Sequence, residues 1–224
     1  MIRITPRNLE QWFSQPRMST YAHHRDPEAL YVWNTQLSKS FLEDIAHVEV
    51  LLRNSVDTSI SPRYGDDWYD NSLIPFDRIA LRSVEKAKRR ARGNRPHAPL
   101  PGQVIAELSF DFWAYLFTET YSATIWPAVL GTLTGTRVPT DDGKRSRVRL
   151  PSLNEFKAEV DVVYRLRNRC AHHKPLVMRQ RSDEDAYLDR CETAINNVAR
   201  WFDPAASQWI RQHSRVPNLR LTRP

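Results

Sequence analysis

The stretch from Pro27 to Pro62, PEALYVWNTQLSKSFLEDIAHVEVLLRNSVDTSISP, contains no proline or glycine between its two ends. Within it Leu30, Trp33, Leu37, Phe41, Ile45, Val48, Leu51, Leu52 and Val56 recur at spacings of three and four. That period places apolar side chains on one face of a helix. The spacing predicts one long amphipathic helix, or two nearly collinear ones. Asp26-Pro27 marks its start, a capping acceptor followed by the residue whose fixed φ suits the first helical position.

Outward from this helix, other starts carry similar signals: Thr5-Pro6, Ser152 with Glu155, Ser182 with Asp185, and Asp203-Pro204. Ser61 to Pro75 is rich in turn residues and reads as a loop, and Phe76 to Arg92 reads as a helix with a basic second half. A loop, Gly93 to Gly102, follows. Gln103 to Leu130 crowds Phe110, Phe112, Trp113, Tyr115, Leu116, Phe117, Tyr121 and Trp126, too apolar all round for a surface helix, and belongs in the core or at a subunit interface. Gly131 to Leu150 reads as a basic, Thr-rich loop, Leu153 to His172 and Ala186 to Phe202 as two more helices, and Pro217 to Pro224 as a short basic tail. No repeat and no alternating run suited to a central strand occurs. The expected fold is all-α, a single domain over 1–224 with about seven helices.

A chain of 224 residues, 41% hydrophobic with seven Trp, eight Tyr and eight Phe, can pack a core without disulfides or metals. No stretch approaches the roughly 18 apolar residues of a membrane span, and Met1 to Asn8 lacks the apolar run of a signal peptide. With two cysteines only, Cys170 and Cys191, the expected setting is a reducing cytoplasm. The net charge of +7 is unevenly spread: Lys86 to Arg95 holds six basic residues and no acid, and Arg137 to Arg149 holds five against two. Such runs either grip a polyanion through its phosphates or are solvated loops.

The chemistry is expected in Arg167-Asn168-Arg169-Cys170-Ala171-His172-His173. On a helix starting near Ser152, the residues Leu153, Phe156, Val160, Tyr164, Arg167 and Ala171 fall on one face at about 100° per residue. Arg167 then sits on the stripe to be buried. A guanidinium keeps its charge, so a structural acid or a bound phosphate must meet it. His172 lies about 140° away on an ideal helix. Pro175 disfavours helix at Lys174, and a loosened last turn would swing His172 toward Arg167. An Arg, an amide and a His brought together suit phosphodiester cleavage in RNA: the imidazole moves the 2′-hydroxyl or leaving-group proton, and the guanidinium holds the charge on the phosphorane. The plainer reading is a helix end, with Asn168 bonding the backbone and the His pair complementing the dipole.

These residues, with the following Lys174-Pro175-Leu176, resemble the motif of the HEPN superfamily, and in particular its Abi-like branch of bacterial abortive-infection proteins. Tyr31 to Asp57 resembles that branch's first long helix with its Glu-x-x-x-Arg-Asn ending, here Glu49, Arg53 and Asn54. Val104 to Leu116 resembles its Leu-Ser-Phe-Gly-Phe-Trp segment, with Asp111 standing where the Gly is expected. The resemblance implies an antiparallel four-helix core with additional helices, and homodimers whose motifs face each other. It implies a metal-independent endoribonuclease of antiphage or toxin type, leaving 2′,3′-cyclic phosphate and 5′-hydroxyl ends. RNA, tRNA included, is the expected partner, with an inhibitor or antitoxin as a second; no cofactor, metal or membrane is expected. Carried over, Arg167 stabilises the phosphate, His172 is the acid or base, and Asn168 orients the substrate or the His. His173 is a second acid/base, a phosphate contact or a capping residue. Glu49 either pairs with Arg53 along its own helix or reaches Arg167 from the neighbouring one, with Arg53 and Asn54 behind it.

A zinc site from Cys170, His172, His173 and Cys191 lacks a standard ligand spacing, and no glycine-rich phosphate loop occurs. Cys170 reads as a small core residue, not a nucleophile. The competing class is a non-catalytic helical module that binds RNA or a partner protein. A ribonuclease held silent until infection is a third reading.

Overall fold

A computed structural model describes residues 6–94, 96–139 and 146–224. Thr5 and Arg95, and the tip of the second basic run with Lys144 and Arg145, lie outside them. The long helix is a single element, α3 (Pro27–Tyr64), preceded by α1 (Pro6–Phe13) and α2 (Gln15–Met18). The Asp26 side chain accepts from the Ala29 N–H at 2.9 Å. Pro62 does not stop the helix: it removes one donor near the end, and the helix runs on to Tyr64 before Gly65, at φ 90°, turns the chain away. Leu30, Trp33, Leu37, Phe41, Ile45, Val48, Leu52, Val56 and Ile60 form its buried stripe.

The next helix, α4 (Arg78–Arg92), begins two residues later than expected, because Asp77 accepts from the N–H groups of Ile79 and Ala80, both at 3.0 Å. The aromatic stretch is not one helix. It is α5 (Pro101–Glu107), α6 (Phe110–Tyr115), a 3-10 turn at Glu119–Tyr121 and α7 (Ile125–Leu130). A straight cylinder would leave part of so many rings in water. Broken segments let Phe110, Phe112, Trp113, Phe117 and Tyr121 all point inward, each at 2% exposure or less. Trp68 meets Phe112 and Trp113 with ring centroids 6.3 and 6.0 Å apart, and Phe117 meets Phe156 at 4.6 Å. Asp111 occupies the first turn of α6, where a carboxylate complements the helix dipole, and its φ is not positive.

Gly131 to Leu150 is not purely loop. It holds a short antiparallel hairpin, β1 (Thr136–Pro139) with β2 (Ser146–Arg149), Thr136 opposite Arg149 and Pro139 opposite Ser146. Gly135, at φ 69°, is required at its base: a Cβ there would lie 2.6 Å from Val148 Cγ1. The Thr134 N–H donates to the Trp201 carbonyl at 2.8 Å, tying the base to the core.

Three long helices make the centre: α3, α8 (Leu153–Ala171) and α9 (Arg181–Phe202). Contacts between α3 and the α8 region run in opposite order along the two chains. Glu49 is within electrostatic reach of Arg167, Ser38 stands beside Cys170, and Asn34 accepts from the Leu176 N–H at 2.7 Å. The same holds for α8 and α9, where Phe156 meets Trp201 and Arg169 lies over Tyr187. Both pairs are therefore antiparallel. The expected start of α9 is corrected: Ser182 lies inside the helix and Gln180 takes the N-cap position, because Arg181 is held to Glu184 at 3.0 Å and Asp185 at 2.9 Å. Two helices close the chain, α10 (Pro204–His213), capped by Asp203 as expected, and α11 (Val216–Leu221). The basic tail is thus largely α11 and is docked: the Trp33 indole donates to the Leu219 carbonyl at 2.7 Å, and Arg223 pairs with buried Glu184 at 2.7 Å. Eleven α-helical segments, not seven, are present among the described residues. The surplus comes from splitting the aromatic stretch, from the short N-terminal pieces and from the docked tail. Among the described residues no helix is long and apolar enough to cross a membrane.

Candidate functional site

The motif is positioned by the two ends of α8. At its start the Ser152 hydroxyl accepts from the Glu155 N–H at 3.2 Å, and the Glu155 carboxylate accepts from the Ser152 N–H at 2.8 Å. Arg149 pairs with the same carboxylate, and these bonds hold it well below the usual range, at about 2. The core stripe of α8 is Phe156, Val160, Val163, Leu166 and Cys170. It is rotated from the face expected, so Arg167, Tyr164 and Ala171 lie at its edge, half-buried. Val163 and Leu166 take the inner positions and move the guanidinium to the boundary, where its charge keeps part of its water.

Arg167 Nη1 donates to Asn168 Oδ1 at 3.3 Å. Asn168 therefore spends its side-chain oxygen on the guanidinium, and its backbone carbonyl accepts the His172 N–H at 3.0 Å. That bond carries the helical backbone ladder as far as His172, the C-cap, at φ −90° and ψ 12°. Unwinding begins one residue later. His173 adopts φ 55°, the left-handed conformation that glycine usually takes after a helix. Its N–H donates to the Cys170 carbonyl at 3.0 Å, and the Lys174 N–H to the Arg169 carbonyl at 2.8 Å, the paired bonds of a Schellman end. Arg17 Nη1 pins the corner from α2 by donating to the His173 carbonyl at 3.0 Å. Both imidazoles are exposed.

Glu49 is half-buried on α3, and burial raises its carboxyl above the ordinary value, while Arg167 and then Arg53 pull it down and Asp111 pushes it up. Glu49 is thus a neighbour of Arg167, yet among the described residues neither forms an ion pair within 4.0 Å. Arg53 turns elsewhere, donating to Asn54 Oδ1 and to the Ala106 carbonyl, both at 3.4 Å. Arg167 and Asn168 are brought together with Glu49 nearby, and among the described residues no hydrogen bond joins the His172 or His173 imidazole to that group.

The sequence reading missed a cavity of about 360 Å³ at the His173 corner, where α1, α2, α3 and the end of α8 meet. Arg17, Lys39 and His173 line it, as do Phe13, Tyr21 and Tyr31. No local pattern marks these residues as a set, because they converge from separate elements. Cys170 forms part of the floor, and burial pushes its thiol up to about 12, against the thiolate form, with Ser38 and Arg169 pulling the other way. Among the described residues no group of three His, Cys, Asp or Glu is placed to hold a metal ion. On α4 the exposed Arg78, Arg82, Lys86 and Arg89 follow one another at spacings of three and four, and among the described residues none is in an ion pair. No protein-family model, no curated protein and no solved structure matches this chain.

Proposed function

We propose that this chain is a metal-independent endoribonuclease of the HEPN type, acting in the cytoplasm as a homodimer in antiphage defence or as a toxin, and leaving 2′,3′-cyclic phosphate and 5′-hydroxyl ends. The observation that carries the reading is Arg167. It is a half-buried cation whose one side-chain partner is the neighbouring amide, with no carboxylate ion pair among the described residues. A guanidinium part-removed from water and left without a counterion is suited to an incoming phosphate, which its planar fork can hold through two oxygens. Asn168 holds the fork, and the exposed His172 supplies an imidazole in reach of solvent and substrate. In this reading α3, α8 and α9 are members of the four-helix core, with α6 and α7 filling the remaining position, and the cations of α4 grip the RNA backbone.

Among the described residues no hydrogen bond joins His172 to Arg167. In the proposed dimer the partner's copy of the motif faces Arg167 and completes the acid/base pair. The same observation favours a second reading, a non-catalytic helical module in which Arg167 and the α4 cations hold RNA and no histidine does chemistry.

Incubating the wild type, Arg167→Ala and His172→Ala with total RNA in excess EDTA, then mapping fragment ends, separates the two. The nuclease yields cyclic-phosphate ends from the wild type and from neither variant. Intact RNA throughout, with affinity lost only in Arg167→Ala, moves the assignment to the binding module.

A further inference from the structure

We propose that the cavity at the His173 corner binds a nucleoside monophosphate unit, its base against Tyr31 and Phe13 and its phosphate among Lys39, Arg17 and His173. The inference goes beyond the nuclease reading, since the cavity opens on the α1–α2 side of α3 and its test reads binding, not cleavage.

Four observations converge on it. The lining combines aromatic rings with cations: Phe13 and Tyr31 have ring centroids 5.0 Å apart and Tyr21 meets Tyr31 edge-on at 5.4 Å, an aromatic cluster of the kind against which a base packs. Arg17, Lys39 and His173 share the lining with these rings, and among the described residues Lys39 has neither an ion pair nor a hydrogen bond, so its ammonium is free for an anion. Among the described residues no Asp or Glu lines the cavity, which favours an anion there.

The third observation is an unsatisfied group. Ser38 is 7% exposed and lines the cavity, and among the described residues its hydroxyl has no nitrogen or oxygen partner, only the weakly bonding Cys170 thiol beside it. A buried hydroxyl is rarely left unpaired, because its desolvation goes uncompensated; a ligand oxygen at this position would satisfy it. Asn34, also buried, lines the wall with its oxygen already engaged by the Leu176 N–H, which leaves its amide N–H groups as donors.

The fourth is the placement of His173 at the helix end that borders the cavity. His173 holds a positive φ at a position where glycine would be easier, and Arg17 locks the corner through its carbonyl. The result fixes an exposed imidazole on the cavity's rim. At about 360 Å³ the space falls in the range that small-ligand sites occupy, and it suits one nucleotide rather than a dinucleotide.

The unit can come from a free mononucleotide or from one residue of an RNA strand. Titration calorimetry of the full chain with adenosine 5′-monophosphate, uridine 5′-monophosphate, adenosine and inorganic phosphate tests the site, and competition by a short single-stranded RNA tells the sources apart. The expected result is that both nucleotides bind, each about tenfold more tightly than adenosine or phosphate alone. Lys39→Glu and Ser38→Val each lower nucleotide affinity by about tenfold with the melting temperature unchanged for the exposed Lys39. RNA that displaces the nucleotide assigns the cavity to the RNA strand; RNA that binds alongside it assigns the cavity to a free nucleotide. The proposal is overturned if neither nucleotide binds at millimolar concentration, or if both variants bind it as the wild type does. Cleavage, or its absence, bears on the nuclease reading alone.

Discussion

Glu184 on α9 and Arg167 on α8 are charged side chains drawn out of water within one helical core, and the chain treats them in opposite ways. Glu184 has no exposed surface and is fully matched: Arg181 Nη1 donates at 3.0 Å, Arg223 Nε at 2.7 Å and Nη2 at 3.2 Å, and the Met178 N–H at 3.1 Å. Among the described residues Arg167 bonds its neighbour's amide alone, and Glu49 stands nearby without closing an ion pair. A charge whose partners all come from the same chain holds elements together, here the start of α9 and the segment after α11. In the proposed function, the charge without a closed ion pair is the one that meets the phosphate.

The largest expected effect breaks the matched side of that contrast. Glu184→Ala leaves Arg223 part-buried beside Trp33 with no carboxylate, and should cost about 3–5 kcal/mol of stability in urea denaturation. A loss under about 1 kcal/mol would mean that the clasp does not hold the fold.

Asp44 sharpens the contrast, being a buried carboxylate with a hydroxyl as its hydrogen-bond partner. Ser214 donates to it at 2.6 Å, but burial dominates and raises its pKa from 3.8 to about 6, with His47 lowering it and Glu192 and Glu43 raising it. The folded value lies above the unfolded one, so this carboxyl favours the fold fully below 3.8 and loses that contribution as pH rises through about 6. Asp44→Asn should therefore stabilise the protein at neutral pH by about 2 kcal/mol, with the gain fading in acid. Thermal melts across that window check the slope, and a gain that does not fade would place the cause outside this carboxyl.

Smaller still is His173→Gly, which relieves the left-handed conformation and should add about 1 kcal/mol, read as a higher melting temperature. If stability falls instead, the imidazole contributes packing that outweighs its strain. Arg167→Ala sits at the bottom of the scale. Its stability change should stay within about 0.5 kcal/mol while RNA cleavage is lost, the signature of a charge held for a ligand.

Much of this could be read from residue order. The buried stripe of α3 is the set named from its periodicity, with Leu51 half-buried instead of buried and Ile60 added, because one helical period and the lack of Gly or Pro fix the inward face. The caps at Asp26, Ser152 and Asp203 are local bonds over two or three residues, and local bonds are visible in sequence. The start of α9 was misread because the Ser182 signal competes with Arg181 pairing forward to Glu184 and Asp185, and the charge pairs prevail. Gln103 to Leu130 was misread for a different reason: composition shows that the rings must be buried but not that one helix lacks the interior surface to bury them. The candidate site was half legible. Arg167 and Asn168 adjoin in sequence and in space, whereas the cavity beside His173 draws on α1, α2 and α3, which only the folded chain brings together.

By itself, then, the sequence determined a helical protein, the inward faces of its long helices, and a short polar motif at the end of α8. These follow from periodicity and from hydrogen bonds between near neighbours. The tertiary structure alone decided that Val163 and Leu166 take the core and leave Arg167 at its edge, that Glu184 is matched and Arg167 is not, and that the chain turns at His173 and not before. Each of those outcomes depends on which distant side chains fill a given space. That competition is settled by packing across elements, and spacing along one element carries no record of it.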